Sequence, residues 1–296
     1  MDIGHLELLR ELRDRGTITA VAAAGFRTPS AVSQQLRSAE RSFGIRLVEP
    51  DGRRLRLTTA GRLLADGAVE VSASLARLQR ELDGLRGDPA GTVSICGLPS
   101  ASEALLPPLL KRLAGTKIEV TISDDDIAEA DFAGRAADHD LVIAHSLAER
   151  PTGTAGLDTT TLANEPLDVA LPANHRLTTR EHINPEDLAG EDWIGVPIGF
   201  PFDTVRVAIE NRSGASLNIV QRVKDNRLVE ALVAQGLGCG LLPRFTTRPR
   251  PDVVIRPLAG VRATRRIVAI SRPDRTERAA VRLVADALTE IGRQLR

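Results

Sequence analysis

Apolar residues in the first sixty positions recur at helical steps, and each run is ended by glycine. Leu6, Leu8, Leu9 and Leu12 form one face that stops at Gly16. Thr17 can cap a second, short helix from Ile18 to Ala24, whose alanines allow close packing, and Gly25 ends it. Thr28 followed by Pro29 opens a third helix, because proline lacks only a donor that the first turn leaves idle. In that helix Val32, Leu36, Ala39 and Phe43 share one stripe, while Ser30, Gln34, Arg37 and Arg41 share the opposite one, with Ser33 beside them. Residues Leu47 to Leu57 then read as a hairpin around Asp51-Gly52, with Arg53, Arg54 and Arg56 at and after its tip.

From Leu64 the spacing changes. Leu64, Ala68, Val71, Leu75, Leu78, Leu82 and Leu85 alternate steps of four and three, the 3.5-residue repeat of a two-stranded coiled coil. A helix over 59–86 would be on the order of 40 Å long at 1.5 Å per residue. Gly87-Asp88-Pro89-Ala90-Gly91 breaks it. Beyond Gly91, strand patterns alternate with helices. Strands are expected at 92–96, 118–123, 141–144, 168–171, 193–196, 219–223, 237–242 and 266–271, and helices at 102–113 and 275–295. Such alternation predicts a parallel sheet in an α/β domain, and the 205 residues from 92 to 296 suit two lobes about a cleft.

Composition then narrows what these elements do. Lysine plus arginine equals aspartate plus glutamate at 39 each, yet residues 1–65 hold eleven arginines against seven acids. A basic head on a neutral chain points to phosphate. The exposed stripe of the third helix suits a DNA major groove, where Gln and Ser address base edges and Arg holds phosphate or guanine; taken alone it better suits a solvated polar face. The basic hairpin behind it adds the wing of a winged helix-turn-helix, gripping adjacent backbone. The leucine rod would pair two such heads. The longest uncharged stretches, Ala90 to Ser102 and Ala231 to Pro243, are too short and too rich in Gly and Pro to span a membrane, and the charged N-terminus lacks a secretion signal, so the chain is expected in the cytoplasm. Cys96 and Cys239 read as two buried small hydrophobes in a reducing compartment.

Catalysis finds no constellation in the sequence. Gly236-Leu237-Gly238-Cys239-Gly240 lies between a helix and a strand, the reverse of a dinucleotide loop, and reads as a tight turn. There is no Gly-x-Ser-x-Gly elbow, the five histidines are scattered, and the adjacent acids Asp124-Asp125-Asp126 read as solvated. No cofactor and no metal are expected. Ligand sites in open α/β sheets lie beyond the carboxyl ends of strands, near helix N-termini. Those places hold Ser100 and Ser102, His145, then Gly199, Phe200 and Phe202, and Asn226. Each serine could equally be a helix cap, and His145 a surface imidazole.

The head resembles the LysR-type transcriptional regulators. The resemblance is carried by Ala22 and Ala23, Ala31-Val32-Ser33, Gln34-Gln35-Leu36, Phe43-Gly44-Ile45-Arg46-Leu47 and Leu57-Thr58-Thr59-Ala60-Gly61, in order and without gaps over about sixty residues. It departs at Ser30, where the family usually has proline, and at Leu47-Val48-Glu49-Pro50, where it usually has Leu-Phe-Glu-Arg. The C-terminal portion resembles the family's effector-binding domain, which is similar in fold to periplasmic solute-binding proteins. By position Pro99 to Ser102 matches the family's effector-contacting loop, and His145 stands where some relatives carry a cationic ligand contact.

The resemblance implies an α/β fold class with a winged helix-turn-helix DNA-binding domain at 1–58, a linker and dimerisation helix at 59–88, and an effector-binding domain at 92–296. Its first lobe would span about 92–163 plus 268–296, and its second about 164–267. The function implied is a sequence-specific transcriptional regulator of double-stranded DNA, homodimeric or homotetrameric, controlled by a small-molecule effector, with carboxylates and amino acids among the candidates. Thr28, Pro29, Ser30, Ser33, Gln34 and Arg37 would face bases or nearby phosphates, and Arg53 and Arg54 the backbone. The alternative is a ligand-binding module of solute-binding fold whose basic head meets proteins.

Overall fold

A computed structural model describes residues 2–52, 54–123 and 132–295, with the side chains of Arg54 and Arg86 outside the description. Arg53 and the run Asp124-Asp125-Asp126 lie outside the described residues. The head is built from α1 (Ile3–Arg15), α2 (Ile18–Ala24) and α3 (Pro29–Phe43), followed by a hairpin of β1 (Val48–Asp51) and β2 (Arg54–Leu57). Each helix start has its own side-chain acceptor. Asp2 takes the Gly4 N–H at 2.8 Å, Thr17 that of Ala20 at 3.1 Å, and Thr28 that of Ala31 at 3.2 Å. Leu8, Leu9, Leu12, Val21, Val32, Leu36, Ala39, Leu47 and Leu57 make the core, so α3 buries the stripe its spacing predicts.

Helix α4 (Thr59–Arg86) runs out of the head as one 28-residue rod. Its predicted seam divides. Leu64 joins the head core, and Ala65, Ala68 and Ser72 are buried. Arg13 of α1 reaches Asp66 at 2.9 Å, and Arg80 reaches Glu277 at 2.5 Å, so the rod is held along this length by its own chain. Only Leu75, Leu78, Leu82 and Leu85 stand out, at 45, 55, 44 and 86% exposure. The unbroken seven-position seam expected from the sequence is therefore shortened to its C-terminal half.

The larger part follows as β3 (Ala90–Gly97), α5 (Pro99–Leu113), β4 (Lys117–Ser123), α6 (Phe132–Arg135), β5 (Leu141–Ser146), β6 (Asp158–Pro172), β7 (Asp192–Gly195), α7 (Pro201–Ser213), β8 (Asn218–Arg222), α8 (Asn226–Ala234), β9 (Cys239–Pro243), β10 (Val253–Arg256), β11 (Thr264–Ser271), α9 (Pro273–Thr276) and α10 (Ala279–Arg293). Strands order as β4-β3-β5-β11-β6-β9-β7-β8, with β10 on β6. The sheet is mixed rather than parallel. Strand β3 runs parallel to β4 and β5, and β7 parallel to β8 and β9, but β11 is antiparallel to β5 and β6, and β6 to β9 and β10. The reason is that β6 passes out of one lobe into the other and β11 comes back beside it. One core gathers β3, β5, α5 and α10 around Ile95, Leu105, Ile143 and Leu288; others gather the β7 side around Trp193, Val205 and Ile209, and around Val229 and Leu242.

Head and ligand domain also touch within the protomer. Arg10 of α1, buried, pairs with Asp274 of α9 at 3.4 Å, Arg272 with Glu11 at 3.4 Å, and Arg15 with Asp138 at 2.7 Å. Among the described residues no helix is long and apolar enough to cross a membrane.

One close approach fixes how the rod leaves the head. A Cβ on Gly61 would stand 2.1 Å from the Leu47 carbonyl oxygen, a backbone atom that cannot swing aside. Gly61→Ala is expected to lower unfolding stability in urea by about 1–3 kcal/mol. Gly84→Ala, exposed on the same helix with nothing within 4 Å, should instead raise it by up to about 1 kcal/mol.

Candidate functional site

On the head, Thr28, Pro29, Ser30, Gln34, Arg37 and Arg41 are exposed along α3 opposite its buried stripe. Ser33 is half-buried and donates to the Pro29 carbonyl at 2.8 Å, and the hydroxyls of Thr28 and Ser30 lie 2.9 Å apart. The adjacent Gln35 serves the fold: it accepts from Arg27 at 2.7 Å and donates to the Gly4 carbonyl at 3.1 Å. Glu40 accepts the Leu47 N–H at 2.9 Å and so sets the hairpin against the end of α3. The sequence reading passed over Phe26. It is fully exposed in the α2–α3 turn with φ +50°, a left-handed backbone that an aromatic residue rarely adopts, and so presents a ring beside the reading helix. Its only sequence signal is its place between Gly25 and Arg27. On the hairpin, Arg56 is tied to Glu49 across the strands at 2.7 Å.

Between the lobes lies a cavity of about 630 Å³, within the usual range for small-molecule sites. Six of the seven residues expected at strand ends line it: Ser100 and Ser102 from the first turn of α5, His145 from the end of β5, Phe200 and Phe202 around the start of α7, and Asn226 at the start of α8. Gly199 does not. It is an exposed turn residue with φ +88°, a conformation glycine adopts without strain, and its contribution is to swing Phe200 into the wall. Pro99 and Ser100 belong to α5 itself, because Pro99 occupies the first helical position, so the helix expected from 102 begins three residues earlier.

The wall is apolar where it is not charged. Phe132 and Phe202 meet the His145 ring edge to face at 6.1 and 5.7 Å between centroids, so one imidazole sits between aromatic rings of the two lobes. At the floor Arg265 is buried and donates from Nε to Glu165 at 2.8 Å, from Nη2 to the Thr246 hydroxyl at 2.7 Å and from Nη1 to the Ser100 hydroxyl at 3.2 Å. Burial pulls the Arg265 guanidinium below its ordinary range against the support of Glu165. Burial, aided by that neighbouring cation, pushes the His145 imidazolium down to about 3, so the ring is neutral. At the mouth Glu103 of α5 holds Arg227 of α8 at 2.5 Å and also Arg248, closing charges across the cleft and keeping the Glu103 carboxyl below its usual range.

The structure also brings together three residues the sequence keeps apart. His175 Nε2 is 3.0 Å from Glu191 and 3.8 Å from the Cys239 sulfur. His175 Nδ1 accepts the Leu177 N–H, which places the ring proton on Nε2, directed at Glu191. Burial pushes the Cys239 thiol up to about 12, so it stands beside the ring as a neutral thiol.

A head that presents a polar helix and a hairpin to a duplex, joined by a rod to a domain enclosing a small-molecule cavity, defines a ligand-responsive DNA-binding regulator. Residues 3–62 match the bacterial regulatory helix-turn-helix protein, lysR family, and residues 86–293 the LysR substrate binding domain. The chain therefore belongs to the LysR family of transcriptional regulators, which bind DNA and carry an effector-binding domain. It is 24% identical over 260 residues to the transcriptional dual regulator GltC of Bacillus subtilis, with 86% of each chain covered. Over 285 residues it is 26% identical to the HTH-type transcriptional regulator MetR of Salmonella typhimurium, covering 95% of this chain and 87% of that one. Its fold is shared with a full-length OxyR variant from Pseudomonas aeruginosa at a TM-score of 0.62 and 19% identity, covering 98% of both. It is shared too with full-length CbnR complexed with its target DNA at a TM-score of 0.55 and 18% identity, covering 99% of this chain and 100% of that one.

The depressed His145 value has a measurable consequence. Its folded value lies below the ordinary one near 6.5, so the unfolded chain binds the proton first and stability falls as pH drops below 6.5 toward 3. Urea unfolding is expected to show a loss of about 1 kcal/mol between pH 7.0 and 5.5 that His145→Phe removes.

Proposed function

We propose that the chain works as a homodimer or homotetramer that reads double-stranded DNA with Thr28, Pro29, Ser30, Ser33, Gln34 and Arg37 and holds the backbone with Arg53 and Arg54. The observation that carries this is the division of α3: Val32, Leu36 and Ala39 are buried while Gln34 and Arg37 stand in solvent directly opposite. Such a helix can enter a major groove without disturbing its own core. In this reading residues 1–58 are the DNA-binding unit, 59–88 the pairing helix and 92–296 the effector unit, whose lobes divide near 163–164 and 267–268. Pairing uses the leucines at 75, 78, 82 and 85, since four large apolar side chains on one exposed helix face are stable only when covered.

The effector is a small molecule held between the lobes by Ser100, Ser102, His145, Phe200, Phe202 and Asn226, with Gly199 shaping the approach. Its occupancy reaches the heads through the contacts of α9 with α1 and α4, where Asp274 meets Arg10 and Glu277 meets Arg80. The protein acts by binding and not by catalysis, in the cytoplasm where the bacterial chromosome lies.

Anisotropy titrations on specific and random duplexes over a range of salt test the division of labour. Gln34→Ala should cost about 1–3 kcal/mol on the specific duplex alone. Arg53→Ala should weaken every sequence alike and lower the salt slope by about one. Equal losses on both duplexes for both variants would refute it. In sedimentation, Leu78→Lys is expected to convert the assembly toward smaller species by placing a charge in the seam.

A further inference from the structure

The polar groups of the cleft are paired in a way that selects against a charged ligand. Its deepest cation, Arg265, already faces Glu165, whose other carboxylate oxygen takes the N–H groups of Phe245 and Thr246 at 2.6 Å each. The floor is thus neutral, and its directed donors are engaged on protein acceptors. At the mouth Glu103 is matched by Arg227 and Arg248. An anion entering between these layers would lose its water and find no cation without a partner.

Among the described side chains that line the cavity, two buried polar atoms have neither a hydrogen-bond nor an ion-pair partner. They are Ser102 Oγ and His145 Nδ1. A polar atom left unsatisfied at such depth is destabilising, so each favours a ligand group that pairs with it. A neutral imidazole offers one lone pair and one N–H. A carboxylate only accepts and so meets Nδ1 in one tautomer alone, whereas a hydroxyl, which both donates and accepts, meets it in either. The start of α5, with Pro99 first and no side-chain cap, favours negative charge only weakly. Desolvating a carboxylate costs several kcal/mol, so the helix end does not reverse the preference. Around these atoms the wall is ring-lined by Phe132, Phe200 and Phe202.

We infer that the ligand of this cleft is an uncharged, ring-bearing molecule carrying hydroxyl groups, its ring against Phe132 and Phe202 and its hydroxyls bonded to Ser102 Oγ and His145 Nδ1. The inference rests on the cleft being the effector site and names the chemical class that site takes. The carboxylates that the sequence leaves among the candidates are disfavoured by the charge balance of Arg265 with Glu165.

Two probes with one ring system separate the classes: 2-naphthol and 2-naphthoate, titrated calorimetrically into the full chain. The naphthol is expected to bind about tenfold or more tightly than the naphthoate, a difference of about 1.4 kcal/mol. Ser102→Ala and His145→Phe should each weaken naphthol about tenfold and leave naphthoate unchanged. Urea midpoints of both variants, compared with the parent chain, identify a variant that fails to fold, in which case the other carries the test. Naphthoate binding as tight as naphthol or tighter, and weakened by either variant, overturns the ligand class and leaves the cleft as the effector site. Naphthol binding that neither variant alters overturns the inference and the cleft assignment together. Binding of neither probe overturns the class, and the duplex titrations then still judge the regulator reading on their own.

Discussion

A buried charge must be met where it lies, and the cleft of this protein is arranged around one such meeting. Arg265 of β11 and Glu165 of β6 are register partners on adjacent strands, and both lie where those strands pass from one lobe to the other. A lone charge at that depth costs several kcal/mol, so the pair and its remaining hydrogen bonds have to be completed by whatever packs nearby. Ser100 does so from α5, and Phe245 and Thr246 do so from the segment after β9. The pair therefore holds elements of both lobes to one point. The orientation of Ser100 and the balanced charge at the floor follow from it, and Arg265 adds to the burial that keeps His145 neutral.

The same logic operates between the head and the ligand domain. Arg10, Glu11 and Arg15 lie on α1, and meet Asp274, Arg272 and Asp138. Because Arg10 and Arg272 are buried, these contacts specify a docking geometry more than they add stability. They sit beside the rod, where Arg80 and Arg77 share Glu277. The rod is thus divided: its first half is packed against its own chain, and its second half leaves Leu75, Leu78, Leu82 and Leu85 exposed. A heptad pattern alone does not distinguish these uses, since Ala68 and Leu82 obey one spacing yet only Leu82 is exposed.

Local rules made much of the head and part of the cleft legible. Thr28 before Pro29, the stripe through Val32 and Leu36, and the turn at Asp51-Gly52 depend on residues a few positions apart, and the helices and hairpin lie where those signals put them. Six cleft residues were legible because the ends of strands and starts of helices converge in an α/β fold. Other features had no local signal. The first half of β6, Asp158 to Glu165, is polar and threonine-rich and becomes a strand because β11 hydrogen-bonds along it. Gly199 follows the same positional rule as Phe200, yet its backbone turns outward. The mixed direction of the sheet was hidden too, because periodicity within a strand does not state which way its neighbour runs.

By itself the amino-acid order determined which segments are helical or extended, which face of each is apolar, and where caps and breaks fall, because those depend on energies between neighbours in the chain. The tertiary structure alone decided that Glu165 and Arg265 neutralise each other across 100 positions, that Glu103 reaches Arg227 across 124, and that His145 is enclosed between Phe132 and Phe202. Burial and charge pairing act through space, and the separation along the chain of the groups they join carries no trace of them.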